Sequence, residues 1–148
     1  MFELPKEIEL SGEKFPIKCD LLVLEKIQEK YGDITDFEKG LLIWEPDRDE
    51  NGQEIKTEDG EKTLMHGINP EAGKVNDALY WMAQEGEEIL AERENRAARE
   101  LKRASLIRKV DIPPRQLAEL LHLEFMRCFQ PKKPQTTKNT ETMSPETP

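Results

Sequence analysis

The 148-residue chain has little with which to do metal or covalent chemistry. Its two cysteines, Cys19 and Cys128, lie far apart with no second cysteine beside either. That spacing excludes a zinc knuckle and a disulfide framework, and both read as small apolar core residues. His66 and His122 stand at no ligand-like spacing from a carboxylate or thiol. There is no phosphate-binding G-x-x-x-x-G-K-[ST], no dinucleotide fingerprint and no nucleophile elbow. Adjacent carboxylates such as Glu87 and Glu88 need no catalytic explanation in so acidic a chain. The expectation is a protein that is not an enzyme and uses no cofactor. No apolar run approaches the roughly 18 residues of a membrane span, and no basic-then-apolar leader opens the chain, so a cytosolic protein is expected.

Charge is plentiful instead: 36% of residues are charged and the net charge is -9. It is unevenly placed, because residues 1–90 carry 10 basic and 23 acidic side chains whereas residues 91–109 carry 7 and 3. An acidic body therefore bears one basic segment. Apolar residues are also only 36%, which leaves a modest core.

Ile8 and Leu10, then Phe15 and Ile17, alternate with polar residues around Ser11-Gly12, which predicts a β-hairpin over 7–19. Pro16 assigns its strand to an edge. At Asp20 the period changes to that of a helix over 20–31, with Gly32 as its stop. Thr35 and Glu38 are spaced as a capping box for a helix over 35–44, with Phe37, Leu41 and Trp44 on one face. Residues 45–73, rich in glycine, proline and charge, read as a mobile excursion from the core. Helical spacing returns at Val75, Ala78, Leu79, Met82, Ala83, Gly86 and Leu90, and thins through Ala97, Ala98, Leu101 and Ala104, predicting one helix over 74–108. Pro113-Pro114 opens a last helix over 114–129, whose eight apolar positions exceed one face. Residues 130–148, with four prolines and five threonines, read as a disordered tail. The whole is one mainly α domain with an N-terminal β-hairpin, a small α+β fold over 1–129.

Two motifs compete for a function. Residues 47–58, DRDENGQEIKTE, fit the calcium-loop pattern, with Asp47, Asp49, Asn51, Gln53 and Glu58 as donors and Gly52 at the turn. Pro46 and Gly60 break the helices that must flank such a loop, so Asn51-Gly52 is better read as a hairpin turn joining 44–45 to 53–55. The basic stretch Arg93–Lys109 offers a phosphate-tracking face, but it is interleaved with glutamates and has no aromatic residues for stacking. A solvated helix face, or a contact with the chain's own acidic part, is the preferred reading, and nucleic-acid binding is not expected.

The hairpin IELSGEKFPIKCD, the helix LLVLEKIQEKYGDI and, after a variable stretch, the helix VNDALYWMAQEGEEI together resemble the tail assembly chaperones of long-tailed bacteriophages and prophages. The likeness covers residues 7–44 and 74–90. It implies a protein of the bacterial host cytoplasm, absent from the mature virion, that binds the tape measure protein, keeps it soluble and recruits tail tube protein. It also implies self-association, and in some relatives a longer frameshifted form; Pro131-Lys132-Lys133-Pro134 is where a slippery run would fall. The excursion and the basic stretch have no counterpart in that pattern. The over-apolar last helix suggests Leu117, Leu121, Phe125 and Phe129 as a partner-binding face, against the alternative that they are ordinary core. The rival functions are an adaptor retained in the particle and, behind it, a calcium- or nucleic-acid-binding module.

Overall fold

A computed structural model describes residues 5–131. The element order is β1 (Lys6–Leu10), β2 (Glu13–Ile17), α1 (Leu21–Tyr31), α2 (Ile34–Lys39), β3 (Trp44–Pro46), β4 (Met65–Gly67), α3 (Ala72–Arg93), α4 (Arg103–Arg108) and α5 (Pro114–Arg127). The expected small α+β domain, mainly helical with an N-terminal hairpin, is what these residues form. The expected tail over 130–148 falls outside the described residues from 132 onward.

β1 and β2 pair antiparallel, with Ile8 opposite Phe15 and Leu10 opposite Glu13. The two-residue turn needs positive φ at both central positions. Ser11 and Gly12 supply it, at 52° and 79°. Ile8, Leu10, Phe15 and Ile17 are buried on the inner face. That face rests on α3, the longest helix, which also touches α1, α4 and α5. Contact with β2 is made at Gly86, where a Cβ would sit 2.2 Å from Pro16 O. At the neighbouring turn the Lys18 N–H donates to Met82 O at 3.0 Å.

α1 starts where Asp20 Oδ1 accepts the N–H groups of Leu22 and Val23, and it stops at Gly32 with φ 83°. α2 departs from expectation at both ends. Its cap is Asp33, whose carboxylate accepts the Thr35 N–H, and it ends at Gly40 instead of continuing to Trp44. Phe37 is nevertheless fully buried, in a ring cluster with Tyr31, Trp81 and Phe125.

The excursion folds as a β-arm. β3 pairs with β4, Trp44 opposite Gly67 and Pro46 opposite Met65, so the partner of β3 is not the 53–55 segment expected from Asn51-Gly52. That turn does form, closed by the Gly52 N–H to Asp49 O, but it joins residues 47–49 to 53–55, through the Arg48–Glu54 bridge. A second bridge joins Lys56 to Thr63. The three ribbons meet in a ring of backbone bonds: Asp47 N–H to Leu64 O, Leu64 N–H to Ile55 O, and Ile55 N–H to Asp47 O. Each residue of the ring donates once and accepts once.

The helix expected over 74–108 is two helices with a strap between them. α3 ends at Arg93, and Asn95 adopts φ 54°. The Arg96 N–H then reaches back to Ala91 O, the six-residue closure of a left-handed helix stop. Residues 96–102 return along α3, where Glu87 and Gln84 hold them: Arg99 N–H donates to Glu87 Oε2 at 2.8 Å and Leu101 N–H to Gln84 Oε1 at 2.8 Å. Ion pairs and side-chain hydrogen bonds hold this segment, whose small apolar stripe of Ala97, Ala98 and Ala104 offers a helix little to pack.

Candidate functional site

Every buried carboxylate in the described residues is occupied with tying elements together. Asp77 on α3, 3% exposed, accepts from Lys30 Nζ at 2.6 Å, Tyr31 Oη at 2.6 Å and Arg103 Nη2 at 2.9 Å. Burial pushes its acidity down, but these three donors outweigh that and hold the carboxyl below its usual range. Glu87 accepts from Arg96 Nη1 at 2.7 Å and from the Arg99 N–H, and the Arg96 guanidinium holds its carboxyl low as well. Glu124 on α5 accepts the Cys19 N–H at 2.9 Å and Arg127 Nη1 at 2.7 Å. The basic stretch thus spends Arg96, Arg99 and Arg103 on the chain's own acids, with Lys109 and Arg99 also reaching Glu13. Glu85 is the exception in sign: burial and the Asp20 carboxylate push it up to about 8.

The calcium-loop donors do not converge. Asp49 Oδ1 accepts the N–H groups of Asn51 and Gln53, and the Gln53 carbonyl is engaged by the Asp49 N–H. Asp47 Oδ1 meets His66 Nδ1 at 2.6 Å, and Glu45 Oε1 meets His66 Nε2 at 3.0 Å. Among the described residues no three His, Cys, Asp or Glu side chains are grouped so as to hold a metal ion. The register of β3 and β4 places Glu45 and Asp47 either side of His66, a pairing that linear spacing could not reveal. Chiefly through Asp47, these carboxylates raise the His66 pKa. His122, in turn, binds Glu38 Oε2 at 2.8 Å and stacks on Phe125.

The four residues expected to form a partner-binding face separate. Leu117, Leu121 and Phe125 are buried in the chain's own core, and only Phe129, 56% exposed, is open. The core alternative therefore describes three of the four in this fold. The apolar side chains that are open on the helices are Leu21 and Leu22 on the first turn of α1, and Leu120 and Leu123 on α5. The Cys19–Glu124 bond brings the residue before the α1 cap alongside the last turns of α5. The signal for the α1 pair lay in the run Leu21-Leu22-Val23-Leu24, since four consecutive helical positions cannot all face one core.

A second open apolar set lies on the arm: Trp44, Ile55, Leu64 and Met65. At its base the Arg115 guanidinium lies 5.1 Å from the Trp44 ring and donates to Ile43 O and Ile68 O. No helix among the described residues is long and apolar enough to cross a membrane. No protein family model, curated protein or solved structure matches the chain.

Proposed function

We propose that the protein is a tail assembly chaperone of a long-tailed phage or prophage, binding the tape measure protein and passing it to tail tube subunits. The observation that carries the reading is the exposure of Leu21, Leu22, Leu120, Leu123 and Phe129 on the helices of a strongly acidic domain. Large apolar side chains left in water invite another chain, while the surrounding charge keeps the resulting complex in solution. The partner surface is assigned to those five residues, with Leu117, Leu121 and Phe125 beneath them as its support. Action is in the host cytoplasm, without a cofactor and without covalent chemistry, and the protein leaves before the virion is complete.

Co-expression with a phage tape measure polypeptide tests this. The expected result is a soluble complex that copurifies, where the tape measure alone sediments. A tape measure that stays in the pellet whether or not the chain is present would overturn it.

A further inference from the structure

The two cysteines that look unrelated in sequence meet in the fold. Cys19 follows β2 and donates its N–H to Glu124 Oε2; Cys128 lies one helical turn beyond Glu124, at the end of α5. Both side chains therefore arrive between the hairpin and α5, Cys19 within the buried core and Cys128 packed against it, near enough for each thiol to bear on the other's acidity, and neither is in a disulfide. They differ in access, since Cys19 is 2% exposed while Cys128 is only partly covered.

We propose that Cys19 and Cys128 form an oxidative modification site that closes an intramolecular disulfide on reaction with a small-molecule disulfide such as glutathione disulfide. The inference is independent of the chaperone reading. Access sets the order of steps. The Cys128 thiol loses its proton and its sulfur attacks glutathione disulfide, breaking that S–S bond and releasing one glutathione thiolate. The Cys19 thiol then gives up its proton, its sulfur attacks the Cys128 sulfur of the mixed disulfide, and the second glutathione leaves. Two cysteines are oxidised by two electrons, one glutathione disulfide is reduced to two thiols, and the two protons balance the leaving groups.

The surroundings make the reaction slow at neutral pH. Burial raises both thiol pKa values, and Asp20 and Glu124 add to it at both sulfurs, with Lys18 opposing at Cys128. Once made, the bond joins the β2–α1 junction to the end of α5 and fixes α5 on the hairpin, so α5 can no longer lift without breaking it.

The test is incubation of the full-length native chain with glutathione disulfide, followed by alkylation, intact mass and a non-reducing gel. The expected product has lost two hydrogens, takes up no alkylating agent, migrates faster, and reverts with dithiothreitol. Its rate of formation should rise about tenfold per pH unit between neutrality and the thiol pKa. In Cys19→Ser the reaction should halt at one stable glutathione adduct on Cys128. A wild-type chain that accumulates that adduct, links to other chains, or keeps both thiols until alkylation would overturn the proposal.

Discussion

At the scale of single residues, the molecule relies on carboxylates whose environments differ in sign. Glu87 is 2% exposed and joins α3 to the returning strap through Arg96 and Arg99. Glu87→Gln keeps the shape but removes the charge that Arg96 needs, so urea unfolding should show a loss of about 2–3 kcal/mol. The folded pKa values of Glu87 and Asp77 are depressed, so their contribution is complete above the ordinary carboxylate range and disappears as pH falls through the folded values. Glu85 works in the opposite direction. Its folded pKa is raised to about 8, so stability present below the ordinary value of 4.5 is lost as pH rises through that of the folded state. Glu85→Gln should therefore raise the melting temperature at pH 9 and change it little at pH 4; an equal shift at both would show that the carboxyl titrates normally.

At the scale of elements, the fit of β2 on α3 depends on a missing side chain. A Cβ on Gly86 would meet Pro16 O, Pro16 C and Ile17 N, all backbone atoms within 2.8 Å, and backbone in a paired strand cannot step aside. Gly86→Ala should cost about 2–3 kcal/mol by denaturant unfolding despite the better helix propensity of alanine. In the sequence Gly86 was legible only as one more position of an apolar stripe, because spacing gives the face and not the distance of closest approach. The hairpin, α1 and the first two-thirds of α3 were readable for the opposite reason: at Ser11-Gly12, Asp20 and Gly32, turn and cap chemistry coincides with the change of period. Where those signals separated, reading failed. Trp44 has the spacing of an α2 residue and lies in β3, because Gly40 ends the helix first. Asn95, a residue that tolerates left-handed backbone, is the stop of α3, yet the apolar stripe continuing through Ala97 and Ala98 obscured it.

At the scale of the whole molecule, an acidic domain seals most of its large apolar residues inside and leaves a few open on α1, on α5 and its end, and on the arm. The candidate surface was half legible. Excess apolar character in the last helix was plain, but which side faces inward depends on the approach of α2 and the hairpin, whose packing no single helix encodes. Phe37 and Phe125 sit 6.2 Å apart, and that contact decides the matter for Phe125. Phe125→Asp places a charge in a site 2% exposed and should unfold the protein, read as loss of the cooperative thermal transition. Leu123→Asp with Phe129→Asp changes only open side chains and should leave that transition within a few degrees of wild type.

The most direct measurement is the amount of tape measure polypeptide that copurifies with this Leu123→Asp/Phe129→Asp chain, taken beside its thermal melt. The account predicts a folded chain that has lost most of the complex. A folded double variant that retains the complex at the wild-type level would contradict it.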